Sequence, residues 1–276
     1  MKYFFILLFL FSGLTVCAQS EFPPLSAPST ISETVGFTTI SIKYDRPSAR
    51  GRVIFGELVP YNEVWRTGGG RNTLISFSTP VTIAGKEIPA GDYNLLSIPG
   101  KEQWSFIFNQ DSALYGTYNY DPSKDVLEFD VLVEKEPVYM ETMTLVLDVV
   151  PYDAVLHFMW QDVHVKFPIQ TDTNQRIKTF IQDSLLTDLS KDADDYFNAA
   201  HHLFMLQEDY ELALELSNKS LALAETAHGI GQKAEILYKL DRVAEALKVA
   251  NEGYQWEINH GMDGQYFKKM IVRFKE

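Results

Sequence analysis

Cysteine is almost missing from this chain. Cys17 is the only one, and it lies in a segment that reads as removable. Met1-Lys2-Tyr3 gives a short positive start, Phe4 to Phe11 is an unbroken apolar run, and Val16-Cys17-Ala18 puts small residues before Gln19. This is the three-part pattern of a secretory signal peptide, with cleavage expected after Ala18. The rival reading makes Cys17 the acylated residue of a lipoprotein, and Val16 is the wrong neighbour for that. A mature chain without cysteine excludes disulfides, a cysteine nucleophile and thiolate metal sites, although an exported protein could hold disulfides. Basic charge is also scarce: the formal net charge is −13. That argues against nucleic acid or an anionic membrane as partner, since both need a basic face. The first apolar run is too short to span a bilayer, which takes about 20 residues, and no later stretch is longer. The expected location is the periplasm or the cell surface, with no transmembrane span in the mature chain.

What remains divides in two. Residues 19–36, with Pro23, Pro24 and Pro28 among Ser and Thr, read as a linker or an extended edge segment. From 37 to 170 the pattern is β: Ile40, Ile42 and Tyr44 alternate with polar residues, as do Met143, Leu145, Leu147 and Val149. Turn signals such as Ala84-Gly85-Lys86 and Pro89-Ala90-Gly91 separate short strands. One hairpin follows from the pattern. With Gln161-Asp162 as its turn, Leu156, Phe158 and Trp160 share a face with Val163, Val165 and Phe167. The other face carries His157, Met159, His164 and Lys166.

From 171 to 276 the chain changes to Ala, Leu, Glu and Lys with a helical period. Glu208-Asp209-Tyr210-Glu211-Leu212-Ala213-Leu214 recurs as Asp241-Arg242-Val243-Ala244-Glu245-Ala246-Leu247. Ala213 and Ala246 are 33 residues apart, and His201 and Phe204 then correspond to Ala234 and Leu237. This resembles a tetratricopeptide repeat with a period of about 34, with His201 as a departure from its small-residue slot. Such helices suggest a protein or peptide partner. The expected fold is α+β and multidomain: an antiparallel β-sandwich or jelly-roll-like domain, then a small tetratricopeptide-like helical domain.

The chemistry is thin. There are eight arginines, and five of them (Arg46, Arg50, Arg52, Arg66 and Arg71) fall within one short stretch. Guanidinium groups grip carboxylate or phosphate through paired hydrogen bonds. Arg50, Arg52, Arg66 and Arg71, with Trp65 as a flat wall, are therefore the candidate site for an anionic small molecule. The alternative is that these arginines pair with Asp45, Glu57 and Glu63 and pin loops to the sheet. Gly68-Gly69-Gly70 is either an anion nest or an irregular turn. His157 and His164 could share a metal only with a third ligand that no spacing indicates. Tyr115, Tyr118 and Tyr120 could stack on sugar rings or form a strand edge. No nucleophile elbow, phosphate loop or zinc-protease motif is present, so no catalytic residue, metal or cofactor is assigned. Two functions remain: a periplasmic or surface binding and interaction module, or an enzyme acting on an anionic small molecule or glycan.

Several segments carry a family likeness. They are Tyr44-Asp45-Arg46-Pro47-Ser48, Gly51-Arg52-Val53-Ile54-Phe55-Gly56, and Leu58-Val59-Pro60-Tyr61 with Val64-Trp65-Arg66-Thr67-Gly68. Further on come Ile88-Pro89-Ala90-Gly91-Asp92-Tyr93, Ile98-Pro99-Gly100, Trp104 and Ile107-Phe108-Asn109. Across about 25–169 the chain resembles the family called domain of unknown function 2911. The resemblance implies export, a β domain, a source in the Bacteroidota and, in some members, helices after the β domain. It implies no activity. After Trp-Arg-Thr-Gly the family pattern runs Ala-Asn-Glu-Ala-Thr, where this chain has Gly69-Gly70-Arg71-Asn72-Thr73. Arg71 thus stands where the family has an acid; if that acid binds or reacts with something, this chain has lost it or changed ligand.

Overall fold

The structure is a computed structural model that describes residues 22–187, 189 and 192–276. The proposed signal segment and its cleavage point lie outside the described residues. The N-terminal part forms two antiparallel sheets, and six α-helices follow among the described residues, so the fold is mixed α+β.

The first sheet has the order β1 (Ala27–Val35), β2 (Thr38–Arg46), β3 (Thr73–Phe77), β6 (Gly91–Ile98), β7 (Gln103–Asn109) and β8 (Asp125–Leu132). The second has β5 (Lys86–Ile88), β4 (Val81–Ile83), β10 (Asp153–Thr171) and β9 (Glu134–Val150). The segment read as a linker or extended edge is thus edge strand β1 from Ala27 onward. Ile40 and Ile42 of β2, Phe106 and Phe108 of β7, and Met143 and Leu145 of β9 are all buried in one core. Alternation puts one face of each sheet against the other, as period-2 patterning demands.

Strand β10 is folded in half. A straight strand of its length would span roughly 60 Å. Yet the Thr171 amide donates to the Asp153 carboxylate at 2.8 Å, and Nδ1 of His157 lies 2.8 Å from Nε2 of His164. Both contacts require the chain to reverse at Gln161-Asp162, where Gln161 has φ 53°. Leu156, Phe158, Trp160, Val165 and Phe167 are buried and Val163 is half-buried. The reversal and the shared face are those the sequence pattern predicts.

The helices are α1 (Thr173–Phe180), α2 (Ala193–Met205), α3 (Tyr210–Leu223), α4 (Ala227–Lys239), α5 (Val243–Asn259) and α6 (Gln265–Arg273). A π-helical turn, Ile181–Leu185, extends α1. Side-chain caps fix three of the starts: Asp192, Asp209 and Thr226 accept from amides of the first turns of α2, α3 and α4. From Ala193 to Ala227 is 34 residues, and from Tyr210 to Val243 is 33. The offset therefore differs between the two helices of a pair. This corrects the alignment of His201 with Ala234. His201 is exposed, and the residue 34 before Ala234 is Ala200, which is fully buried like Ala234. The turn from α4 to α5 is one residue shorter than that from α2 to α3, so a single offset carried back from Ala213 misses the slot by one.

Among the described residues, contacts at Phe37 and at Tyr152 join the helices to the sheets. Oγ1 of Thr173 accepts from the Phe37 amide at 3.1 Å, and the Arg176 guanidinium lies over the Phe37 ring. The Tyr152 ring, in the β9–β10 turn, packs on His202 of α2 with centroids 5.0 Å apart. Among the described residues no helix is long and apolar enough to cross a membrane.

Candidate functional site

The long loop between β2 and β3 carries all of the predicted site except its supports. Trp65 forms an isolated bridge to Ser97 of β6, so it lies in line with β3 although seven residues, 66–72, separate them. Strand alternation then turns Trp65 toward the sandwich core and Arg66 away from it. Trp65 stacks on Trp160 at 6.1 Å and meets Phe55, Trp104 and Phe158 edge to face. Trp104 and Trp160 are each 1% exposed. Such offset and T-shaped contacts hold the indole rigidly.

A cleft of about 330 Å³ opens beside this cluster. Its lining includes Arg52, Trp65, Arg66, Trp160 and, from the loop before β8, Gly116, Thr117 and Tyr118. Nε and Nη2 of Arg52 donate to the Ala49 and Ser48 carbonyls at 2.9 and 2.8 Å. Nε of Arg66 reaches only the Gly68 carbonyl, at 3.4 Å. Among the described residues neither guanidinium has a carboxylate within ion-pair distance.

The predicted site divides. Arg52, Trp65 and Arg66 come together in this cleft. Arg71 lines a neighbouring one. Arg50 lines neither, and its Nη2 donates to the Leu25 carbonyl at 2.6 Å. Arg46 ties the sheets together, donating to the Met143 carbonyl and Thr144 Oγ1. The expected pairing with acids is seen only between Arg71 and Asp45, at 3.8 Å. Elsewhere these arginines meet backbone carbonyls and, for Arg46, the Thr144 hydroxyl.

The glycine run is a turn held by Asp45. Its carbonyl accepts from the Gly69 amide and its carboxylate from the Arg71 amide at 2.8 Å, so these N–H groups face no ligand. Gly70 has φ 139°, and a Cβ there would stand 2.5 Å from Asp45 Oδ2, so both conformation and space call for glycine.

Sequence reasoning missed the support for the opposite wall. Buried Asn72 donates through Nδ2 to the Gly116 carbonyl at 2.9 Å and accepts from the Gly116 amide at 2.6 Å. Asn109 holds the same loop at its ends, donating to Asp125 and the Asp121 carbonyl and accepting from the Asp111 amide. The Tyr120 hydroxyl donates to Asp125, and burial together with that carboxylate pushes its pKa well above the usual tyrosine range. Tyr118, by contrast, is 88% exposed. It is the only phenol lining this cleft.

His157 and His164 do meet, with rings stacked 18° apart. Their facing nitrogens hydrogen-bond each other rather than converging on a point between them. Burial, then the neighbouring His164, lowers the pKa of His157. His164 and Lys166 both lie by Glu134, at 3.7 and 2.9 Å. Among the described residues no three His, Cys, Asp or Glu side chains are placed to hold a metal.

Comparison with curated proteins and with solved structures finds no match. Across the family models, Protein of unknown function (DUF2911) matches residues 26–169, the two sheets and the cleft they carry. That is more than half of the chain, which therefore belongs to this family.

Proposed function

We propose that this is an exported ligand-binding module whose cleft at Arg52, Trp65, Arg66 and Tyr118 holds a small molecule bearing a carboxylate or phosphate. The observation that carries the reading is a pair of guanidinium groups with no carboxylate partner among the described residues, beside a fixed indole. Arg52 spends two donors on carbonyls and keeps the rest; Arg66 spends one, weakly. Such a pair attracts an anion, and the aromatic wall excludes water from one side of it.

Binding is favoured over catalysis because the residues lining this cleft include no His, Asp, Glu, Cys or Lys. The Tyr118 phenol is then the one candidate acid or base in the lining, and no carboxylate or imidazole there would take up its proton. Docking of a protein through the helices rests on their spacing alone and is placed second. The finer fold terms belong to the same proposal: a jelly-roll-like sandwich over 37–170, and tetratricopeptide-like pairs over 171–276, supported by the buried alanines at 200, 213, 234 and 246.

The test is a thermal-shift screen of carboxylated and phosphorylated small molecules, followed by calorimetry on any hit. A ligand of the folded state raises the melting temperature by mass action. Arg66→Ala should weaken a true hit at least about ten-fold, the equivalent of losing one charge-assisted contact, and leave the ligand-free melting temperature nearly unchanged. A hit indifferent to Arg66→Ala, or a variant that merely melts earlier, would remove the cleft from the argument.

A further inference from the structure

The Asn72–Gly116 clasp has a second cleft on its other side. It measures about 420 Å³ and lies against the first sheet, bounded by Lys43, Leu74, Asn94, Arg71 and Tyr115. The two clefts share both of their loops. Arg66 and Arg71 come from one loop, on either side of the triple glycine, while Tyr118 and Tyr115 come from the other, on either side of Gly116.

Four features of the second cleft call for an occupant. Asn94 lines it at 1% exposure; its Nδ2 donates to the Asp111 carbonyl, and its Oδ1 has no donor among the described residues. Buried acceptors are nearly always met by a donor. Lys43 is exposed and has no acidic partner among the described residues. The Arg71 side chain is 77% exposed and reaches Asp45 only at 3.8 Å. Tyr115 is 63% exposed and Tyr118 88%, so each cleft has a phenol ring standing at its rim.

We infer that the two clefts are adjacent subsites of one site, and that the ligand is an acidic oligosaccharide carrying a carboxylate on neighbouring sugar units. The inference rests on the anion-binding reading of the first cleft. Each subsite offers cations for a carboxylate: Arg52 and Arg66 in one, and in the other Lys43 with Arg71, which the Asp45 carboxylate in the same lining meets only at 3.8 Å. A sugar hydroxyl is the donor that Asn94 Oδ1 lacks. The apolar face of a pyranose ring suits an exposed phenol, as aromatic rings present a flat apolar surface with a polar tip. Either cleft alone has room for about one sugar unit, being near the small end of ligand pockets. A chain across both gains from the second contact as an intramolecular event.

The experiment is calorimetry on the full chain with tetragalacturonate, monomeric galacturonate and the neutral tetragalactose. The expected result is binding of the acidic tetramer at least about ten-fold tighter than the monomer, with no binding of the neutral chain. Lys43→Ala and Tyr115→Ala, both at exposed positions, should bring the tetramer down to the affinity that the first cleft gives alone. Equal affinity for tetramer and monomer, or tetramer binding indifferent to Lys43 and Tyr115, would overturn the tandem site while leaving the first cleft standing. Binding of a phosphorylated or other carboxylated compound that depends on Arg66, with no binding of either galacturonate, would overturn the sugar assignment alone. Failure of every anion to bind through Arg66 would bring down both readings together.

Discussion

The sheets and the helices of this protein solve packing in opposite ways. Between the sheets the space is filled by large rings: Phe55, Trp65, Trp104, Phe158 and Trp160 interlock within about one ring diameter of each other, and Phe106, Phe108, Phe129 and Phe167 continue the cluster. Between the helices the space is removed instead. Ala200, Ala213, Ala234, Ala246 and Ala250 are fully buried, and a Cβ on Gly253 would stand 2.3 Å from the Phe267 ring. Sheets about 10 Å apart need bulk between them, whereas helices that cross closely need its absence. The cleft proposed to bind a ligand belongs to the first kind of packing. Its indole wall is the rim of the aromatic core, so ligand geometry and core stability are there one property.

The sharpest way to break this contrast is to exchange the sizes. Trp160→Ala should have the largest effect, destabilising the sheets by about 3–5 kcal/mol as is usual for a large buried ring. It should also let Trp65 move, abolishing ligand binding in calorimetry even at temperatures where the protein stays folded. If the denaturant midpoint barely changes, the aromatic cluster is not what holds the sheets. Ala246→Leu is the reverse exchange. Overpacking of about 1–3 kcal/mol is expected, read as loss of helical circular dichroism at lower denaturant, with ligand affinity untouched. A neutral result there would mean that the helices have slack and are not packed by small residues.

The smallest effect lies where the two regions meet. His202 is 5% exposed, and neither of its ring nitrogens has a hydrogen-bond partner among the described residues. Burial lowers its pKa; Glu208 acts against that and Lys178 with it. The folded protein therefore keeps the ring neutral. Below about pH 6.5, the ordinary histidine value, the unfolded chain takes up a proton that the folded one resists. The contribution is thus complete above that pH and is lost as pH falls below it. His157, also depressed, acts in the same sense. Melting temperature should fall between about pH 7.5 and about pH 5.5, and His202→Phe should reduce the fall by keeping the ring contact with Tyr152 without the titration. An unaltered pH slope in that variant would place the acid sensitivity elsewhere.

The sequence is most readable where its pattern is local. The parity of buried residues changes across Gln161-Asp162, and a reversal there keeps Trp160 and Val165 on one face. The helical spacing is legible in Ala213 and Ala246, but a single offset puts His201 in the slot of Ala200 because two turns differ by one residue. The arginines show a different limit. They lie close in sequence, yet Asp45 holds the 66–71 loop so that Arg66 and Arg71 fall into different clefts, and Arg50 into neither. Nothing local announces Asn72 as the partner of Gly116, since the two meet only after β3, β6 and β7 have paired. Half of the cleft was therefore readable from the sequence, and its second wall was not.

The folding of β10 on itself also has a consequence in time. Its last residues, Gln170 and Thr171, pair with Thr82 and Val81 of β4, so the second sheet cannot close until almost all of the β region has been synthesised. Contacts between such distant residues form slowly, while helix pairs with local contacts form fast. Thr171 is separated from the start of α1 by a single residue. As the chain leaves the ribosome, the slow step should thus be the arrival of this closing strand, and the helices behind it should settle onto Phe37 and Tyr152 only once it has docked.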